Sequence, residues 1–501
     1  MVFEFENFDS LPQLAWCAHI QHTGVVRVRH GSAVEVCEDA FVEGAWDGEF
    51  SAMAFDDAST LAGSGGRLRN NSVVFSSPFH PLECLYLVAA GDRLLVSNSL
   101  TFLFVEANDR PDIHYNNYFF DLLRHARHGV PNLPIGLPTE AGARIQLFQI
   151  CNLQVDSNLS YRERPKALPA PPTCFSDYDS QLVRTVTAVA RNAAAPQRKR
   201  TYRLVSAVST GYDSTASTAV VSRAGGREAV TFTKSSAEGG LADDRGTEIA
   251  TCLGMTTTEY ERSDVRNLPG FPEAEFWSKP SSSGAPGLAP MESQLEGALF
   301  TTGRHGEDVW GRGRDCKRPG LREPENATMP GRGVTDFRVR VGYLNFPVPY
   351  IGALHGSHVY LITHSPEMKP WTLGVGAYDR PIARRLVEEA GVPRDLFGQR
   401  KLGGGGRGLR TMNAASDRDF HEFCRAEVAP YILQKLDQDH GAERFRKHFR
   451  MLYIRKRLAS QPITHPFLEF LPMDRWHVMW NSIYLYTFHW GFGRISPRYR
   501  I

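Results

Sequence analysis

A run of small and hydroxylated side chains follows an apolar stretch near the middle of the chain: Ser209, Thr210, Gly211, Tyr212, Asp213 and Ser214. Glycine lets a backbone approach an anion closely, and serine and threonine hydroxyls donate hydrogen bonds. Asp213 would repel phosphate unless a divalent cation lay between the two groups. The turn therefore indicates a site for a Mg²⁺-bound polyphosphate. A plain strand-to-helix turn, with the Asp and Ser as helix caps, is the alternative.

The flanking patterns predict the elements that position this turn. An apolar, β-branched strand is predicted at Leu204–Val208, and apolar residues at helical spacing predict a helix over Thr215–Arg223. A strand, a tight polar turn and a helix are the order in which α/β proteins present backbone amides to a phosphate.

A second strand and helix follow in the same order. The strand is predicted at Ala229–Thr233 and the helix at Asp243–Gly254, with Asp243 mainly as its cap and a substrate contact as the alternative. Two such units indicate a parallel sheet with the phosphate loop at the carboxyl end of a strand. Thr231 and Phe232, near the end of the second strand, are further candidates for nucleotide contact.

A later stretch, Leu299–Gly311, carries an acidic pair behind an apolar strand end. The strand leads into Gly303, and Glu307 and Asp308 follow after a turn. Two carboxylates beside a polyphosphate loop can hold Mg²⁺ through oxygen ligands. Which acid would bind the metal stays open, and a surface turn with a capping carboxylate is the alternative.

The turn at 209–214 resembles the Ser-Gly-Gly-x-Asp-Ser pyrophosphate loop of the N-type ATP pyrophosphatases, the PP-loop superfamily, with Thr210 in place of the first glycine. Leu299–Gly311 is similar to the Ser-Gly-x-Gly-x-Asp-Glu-Leu-Phe-Gly segment of its asparagine synthetase-like branch, with the acidic pair inverted and His305 where glycine is usual. The resemblance implies ATP and Mg²⁺ as cofactors, with Asp213 and the acidic pair at the metal.

The resemblance also suggests two basic residues near the site. Arg400 and Lys401 follow a helix that begins after Tyr378, and the family has a comparable basic pair whose lysine neutralises charge on the adenylate and pyrophosphate. Lys401 is the first candidate for this catalytic role and Arg400 the second. An exposed basic loop is the alternative.

In the N-terminal third, short runs of alternating apolar and polar residues, separated by turn residues, predict short strands. Asparagine synthetase-like enzymes carry a glutaminase domain of the N-terminal-nucleophile (Ntn) type at this place. The segments Gly44–Phe55 and Leu94–Leu100 loosely resemble parts of that domain. That chemistry needs a cysteine directly after the initiator methionine, where this chain has Val2, and Cys17 lies inside the chain. We expect a degraded glutaminase-like domain, as in β-lactam synthetase-like members.

The predicted fold class is α/β in three parts. Residues 1–165 form a mostly antiparallel, Ntn-hydrolase-like α+β domain, and residues 166–410 form a parallel-sheet PP-loop synthetase domain. Residues 411–501 form a helical extension packed on the synthetase domain. The linker is the proline-rich segment Arg162–Thr173, and the alternating run Val334–Tyr350 predicts a strand.

Composition limits the function classes. The 501 residues are 42% hydrophobic with a net charge of +2, which argues against general attraction to nucleic acid or membranes. The eight cysteines are scattered, and no signal peptide or apolar 18-residue span is visible, so we expect a cytoplasmic protein.

Together these patterns predict an ATP-dependent amide-forming ligase that adenylates a carboxylate. The expected partners are a small-molecule or peptide carboxylate and ammonia or an amine donor, with a separate ammonia-supplying protein and a homodimer as candidates. Two alternatives stay open. One is an intramolecular cyclase of the β-lactam synthetase or lasso-peptide type, and the other is a nucleotide-binding pseudo-enzyme that acts as a partner-recognition module.

Overall fold

The computed structural model describes residues 1–115, 118, 121–122, 136–235, 242–266, 268, 273–278, 285–312, 333–374, 378–400, 413–428 and 486–501. Within these ranges the chain is a mixed α/β protein, in which an antiparallel sheet region precedes a parallel sheet.

Short strands dominate the N-terminal region. They are β1 Val2–Asn7, β2 Trp16–Gln21, β3 Val25–His30, β4 Glu35–Cys37, β5 Ala40–Trp46, β6 Leu61–Arg69, β7 Ser72–Ser76, β8 Leu85–Ala90, β9 Arg93–Ser97, β10 Leu137–Pro138, β11 Arg144–Phe148, β12 Cys151–Asp156 and β13 Tyr161–Pro165. A seven-stranded sheet has the order β1-β3-β2-β9-β8-β11-β10, and a six-stranded sheet has the order β13-β12-β7-β6-β5-β4. The pair β1–β3 is parallel, whereas β2–β3 and β5–β6 show the antiparallel pairing typical of both sheets.

Large aromatic side chains fill the space between these two sheets. Trp16 of the first sheet lies 5.0 Å from Phe41 and 5.9 Å from Phe75 of the second, measured between ring centroids, and all three are buried. Facing sheets that share such a core form a sandwich.

Five parallel strands form the C-terminal sheet: β14 Arg203–Ala207, β15 Glu228–Phe232, β16 Thr256–Tyr260, β17 Ala298–Thr302 and β18 Leu344–Pro347. The described α-helices are α1 Leu100–Glu106, α2 Phe175–Ala193, α3 Tyr212–Arg223, α4 Thr247–Cys252, α5 Glu273–Ser278, α6 Glu292–Leu295, α7 Gly306–Val309, α8 Gly333–Val341, α9 Gly356–Thr363, α10 Pro381–Glu389, α11 Ala414–Phe423 and α12 Thr487–Ile495. The sheet order is β16-β15-β14-β17-β18, so the winding direction reverses between β14 and β17. Sheets of this kind open a crevice at that switch point, beyond the carboxyl ends of the strands.

The strand predicted over Val334–Tyr350 is wrong in its first half. Helix α8 occupies 333–341, and only Leu344–Pro347 is a strand. Val334, Phe337 and Val341 bury one helical face in the core of the parallel sheet. Arg338 and Arg340 alternate with apolar residues and so give the sequence pattern of a half-exposed strand. Both arginines pair with buried carboxylates and therefore do not mark a solvent-exposed face.

One of these arginines joins the sandwich to the parallel sheet. Arg338 Nη1 lies 2.7 Å from Glu43 Oε2 of β5, and Arg338 Nε lies 2.7 Å from Glu83 Oε2. The three side chains are at most 3% exposed. Burial raises the pKa of Glu83, and Arg338 partly offsets this shift. The two regions therefore dock through charges that are shielded from water.

Asp336 on α8 makes a second contact between distant parts of the chain. It accepts hydrogen bonds from Ser99 Oγ at 2.7 Å, from Thr101 Oγ1 at 3.3 Å and from the Tyr499 hydroxyl at 2.6 Å. Burial raises the pKa of Asp336 to about 6, although the three hydroxyl donors lower it in part.

The protonation of Asp336 should influence stability. Its folded pKa is higher than the ~3.9 of an unfolded chain, so its contribution is complete below pH ~4 and is lost as the pH rises through about 6. Between pH ~4 and ~7 the wild type should lose about 2–3 kcal/mol in free energy of unfolding relative to Asp336→Asn. Urea unfolding at each pH measures this difference. The exposed Asp395→Asn variant is the control, and a difference that is constant with pH would contradict the prediction.

Candidate functional site

A cavity of about 360 Å³ lies at the switch point between β14 and β17. This is a volume typical of small-molecule sites. Most of the residues singled out from the sequence line it: Ser209, Gly211, Tyr212, Asp213, Ser214, Thr231, Phe232, Gly303 and Glu307. The fold thus brings two distant stretches, 209–214 and 303–307, to one crevice.

Hydrogen bonds hold the turn after β14 in a fixed shape. Ser209 Oγ and Ser214 Oγ lie 2.7 Å apart, and the Gly211 N–H donates to Ser209 Oγ at 3.3 Å. The hydroxyl of Thr215 donates to the carbonyls of Ser209 and Gly211, both at 2.7 Å. The turn is therefore preorganised at the amino-terminal end of α3.

Thr210 is held by a carboxylate that the sequence analysis did not single out. Asp244 Oδ1 accepts from the Thr210 N–H at 3.2 Å and from its hydroxyl at 2.8 Å. Burial raises the pKa of Asp244, and these hydrogen bonds lower it in part. The cap predicted at Asp243 is wrong, because α4 begins at Thr247 and Asp243 Oδ1 accepts from the Arg245 N–H at 3.0 Å.

Gly211 lines the cavity, and a side chain there would meet no steric overlap. A Cβ added there would lie no closer than 3.5 Å to Ser209 Oγ and 4.0 Å to the Tyr378 hydroxyl. The backbone of Gly211 has φ −78°, which any residue adopts, so the fold itself does not require glycine. The glycine leaves room for a ligand to approach the backbone.

Gly303 and Gly306 have the opposite environment. A Cβ at Gly303 would overlap the backbone of Asp213 and Ser214, and one at Gly306 would lie 2.5 Å from Asp213 Cβ. The turn after β17 therefore packs directly on the first turn of α3. Between the two glycines, His305 has φ +65° in the left-handed region, and its ring packs 5.4 Å from that of Tyr350.

A buried arginine lies between Asp213 and Glu307, two of the acids that line the cavity. Arg380 Nη1 donates to Asp213 Oδ1 at 3.1 Å, and Nη2 lies 3.6 Å from Glu307 Oε2. The Arg380 side chain is 3% exposed, whereas Asp213 and Glu307 are 26% and 49% exposed. Asp308 is not among the cavity-lining residues, and its Oδ2 lies 3.4 Å from His305 Nδ1.

These residues fit a Mg²⁺ ion shared with phosphate. Among the residues that the structure describes, no group of three or more His, Cys, Asp or Glu side chains could hold a metal by itself. Mg²⁺ in nucleotide sites is held by one or two carboxylates together with phosphate oxygens. Asp213 and Glu307 offer two such carboxylates beside the open backbone of Gly211.

The remaining predicted residues have different surroundings. Thr231 Oγ1 accepts from the Gly246 N–H at 3.0 Å and thus fixes the start of α4. Phe232 is half-buried, and the guanidinium of Arg262 lies 3.9 Å above its ring centroid. The Tyr212 hydroxyl accepts from Arg394 Nη2 at 2.7 Å, and burial raises the Tyr212 pKa.

The segment before the predicted basic pair contacts the turn. The Gly398 N–H donates to the Thr210 carbonyl at 2.7 Å. Arg400, two residues later, is exposed and does not line the cavity. Lys401 lies outside the described residues.

Asp244 and Arg380 are among the residues at the site that were not predicted. Asp244 is adjacent to Asp243, and only the position of the loop between β15 and α4 distinguishes the two acids. Arg380 precedes the proline that begins α10, a position whose sequence carries no signal for an ion pair with Asp213.

Gly303, which packs on α3, and Gly211, which does not, should respond differently to alanine substitution in their free energy of unfolding. We expect Gly303→Ala to lower the free energy of unfolding by about 1–3 kcal/mol, because the added methyl overlaps the backbone of α3. Gly211→Ala should leave it within about 0.5 kcal/mol. Urea unfolding of both variants measures this, and equal losses would contradict the contact between the 303–306 turn and α3.

Comparisons with known proteins add no assignment. No family model matches the chain, and no curated protein matches it. Within the described part of the chain, no helix has both the length and the apolar character needed to cross a membrane.

Proposed function

We propose that this protein is an ATP-dependent amide-forming ligase, which adenylates a substrate carboxylate, releases pyrophosphate and transfers the acyl group to ammonia or another amine. The observation that carries the proposal is the turn 209–214, whose open backbone at Gly211 faces the cavity beside Asp213 and Glu307. Backbone amides next to carboxylates suit a polyphosphate with its divalent cation better than an uncharged ligand.

The sheet topology supports this proposal. The turn follows the first strand of a sheet ordered β16-β15-β14-β17-β18, at the point where doubly wound sheets bind nucleotides. The finer assignment of this sheet to a PP-loop fold, and of the sandwich to an Ntn-hydrolase-like fold, is part of the same proposal.

The turn supplies positive potential for the phosphates. The amino-terminal end of a 12-residue helix, α3, carries a partial positive charge from its unpaired N–H groups. One hydroxyl of the Ser209–Ser214 pair donates to the other, and the second can donate to a phosphate oxygen.

Asp213 and Glu307 would hold Mg²⁺ together with phosphate oxygens, and the bound ion would neutralise negative charge on the departing pyrophosphate. Arg380 balances these carboxylates through its own charge. When the carboxylates turn towards the cation, the guanidinium becomes available to the phosphates.

The proposed reaction has two steps. A substrate carboxylate oxygen bonds to the α-phosphorus of ATP, and pyrophosphate leaves with the electron pair of the broken P–O bond. The amine nitrogen then bonds to the acyl carbon, AMP leaves with the electron pair of the C–O bond, and the nitrogen loses a proton. The chain contributes positioning and charge stabilisation, for which Lys401 and Arg400 are the proposed cations at the pyrophosphate.

The nitrogen should come from outside the sandwich. The Cys17 thiol is fully buried, and burial together with Glu106 raises its pKa well above the ordinary value. A thiol that is neutral and shielded from solvent makes a poor nucleophile.

ATP–pyrophosphate exchange tests the first step. With a panel of carboxylates, the wild type should exchange labelled pyrophosphate into ATP in the presence of at least one of them. Asp213→Asn should reduce this exchange by about 100-fold or more, because the Mg²⁺ that would stabilise the negative charge on the departing pyrophosphate loses a carboxylate ligand.

The matched control is Asp243→Asn, whose side chain is 67% exposed and lies outside the cavity. It should exchange like the wild type. Nucleotide binding without exchange for any carboxylate, and without an effect of Asp213→Asn, would instead favour the pseudo-enzyme.

Glutamine should not serve as the nitrogen source. We expect no release of ammonia from glutamine above the uncatalysed rate, whereas ammonium salts or an amine should support amide formation. Glutamine hydrolysis that Cys17→Ala abolishes would refute this expectation.

A further inference from the structure

Asp244 places a negative charge beside the turn that is proposed to bind phosphate. The residue lines the cavity and is 6% exposed. Its Oδ1 accepts from the N–H and the hydroxyl of Thr210, and its Oδ2 accepts no hydrogen bond from the residues that the structure describes. Hydrogen bonds from two donors favour the ionised form of a carboxylate. The turn therefore has a fixed anion as its neighbour.

The bond from the Thr210 N–H takes one backbone amide away from a ligand. An amide that donates to a carboxylate is not available to a phosphate oxygen, and such a charge-assisted bond is stronger than one to a neutral acceptor. The next amide, that of Gly211, donates only to a hydroxyl, Ser209 Oγ at 3.3 Å. A phosphate that approaches the backbone at Gly211 would thus lie next to the Asp244 carboxylate.

The main chain on both sides of this carboxylate is held in place. The Asp244 N–H donates to the carbonyl of Thr233, the residue directly after β15, at 3.1 Å. An antiparallel bridge joins the next residue, Arg245, to Ser209 at the start of the turn. A ligand could move the carboxylate only by rotating its side chain away from two hydrogen bonds. The negative charge therefore stays beside a bound phosphate.

The arginines that line the cavity leave this charge largely unpaired. Arg380 pairs with the two proposed Mg²⁺ ligands. Burial raises the pKa of Asp244 and Arg262 partly offsets this shift, but Arg262 Nε donates to the Lys234 carbonyl at 3.0 Å, and no ion pair joins Arg262 to Asp244 within the described residues. Arg304 follows β17, which is separated by β14 from the strand that precedes Asp244.

We propose that Asp244 makes the phosphate turn selective for polyphosphates that carry a divalent cation. This inference rests on the proposed function and identifies a specificity-determining residue in the same site. Free pyrophosphate is more negatively charged than its Mg²⁺ complex, so a fixed carboxylate repels the free anion more strongly. Asp213 and Glu307 attract the cation, whereas Asp244 rejects an anion that lacks one.

Pyrophosphate binding with and without Mg²⁺ tests the inference. Titration calorimetry at pH ~8, where carboxyl groups are ionised, gives one Kd in excess EDTA and one in excess MgCl₂. Asp244→Asn removes the charge and keeps an oxygen that can accept from Thr210. It should bind free pyrophosphate about 10- to 100-fold more tightly than the wild type, and the Mg²⁺ complex within about threefold of it.

Asp244→Ala distinguishes repulsion from a role in holding the turn. This variant removes both the charge and the acceptor, and it should also bind free pyrophosphate more tightly than the wild type. If Asp244 only held Thr210 in place, Asp244→Ala would weaken the binding of both forms and Asp244→Asn would restore it. That result would overturn the inference, and so would an unchanged ratio of the two Kd values in Asp244→Asn.

Asp243→Asn is the matched control, because it removes the adjacent charge of the same loop. The Asp243 side chain is 67% exposed and does not line the cavity, so water screens it from the ligand. The ratio of the two Kd values should stay close to that of the wild type. A change as large as that of Asp244→Asn would show that general loop charge, and not Asp244, sets the selectivity.

These measurements separate the inference from the proposed function. A shifted ratio in Asp244→Asn, without ATP–pyrophosphate exchange for any carboxylate, would support the selectivity and refute the ligase. Exchange together with an unchanged ratio would support the ligase and refute the selectivity. If neither the wild type nor Asp244→Asn bound pyrophosphate under either condition, the phosphate turn itself would be refuted, and both proposals with it.

Discussion

The direct contact between the 303–306 turn and the first turn of α3 determines the geometry of the cavity. Gly303 and Gly306 leave no space for a side chain against Asp213. The strand order brings the loops after β14 and β17 to the same switch point, and this contact then sets their spacing. Asp213 and Glu307 therefore flank Arg380 because of how the main chain packs.

Charge balance in the cavity follows from that packing. Arg380 lies between two carboxylates, whereas Arg304 has no acceptor within the described residues. Arg380 Nε also has no hydrogen-bond partner in the described part of the chain, so the guanidinium is only partly satisfied by the acids. A polyphosphate with its cation and a substrate anion would complete both arrangements, and fixed charges of this kind need little reorganisation during a reaction.

Local patterns allowed the elements around the turn to be predicted. The predicted strand Leu204–Val208 appears as Arg203–Ala207, and the helix after it begins at Tyr212, three residues earlier than expected. Tertiary partners could not be predicted. Asp244 contacts Thr210 across 34 positions of sequence and Arg380 contacts Asp213 across 167, and neither contact leaves a periodic signal. Helix α8 was misread because its alternating arginines pair with buried acids.

The sandwich contributes directly to the cavity. Leu82 lines the cavity, and its neighbours fix it there: His80 Nε2 lies 3.0 Å from the Asn345 carbonyl, and Glu83 accepts from Asn345 Nδ2 at 2.9 Å. Glu83 also pairs with Arg338, and breaking a buried pair of this kind costs about 3–5 kcal/mol. Because both Asn345 and Leu82 line the cavity, the docking of the sandwich shapes the cavity wall.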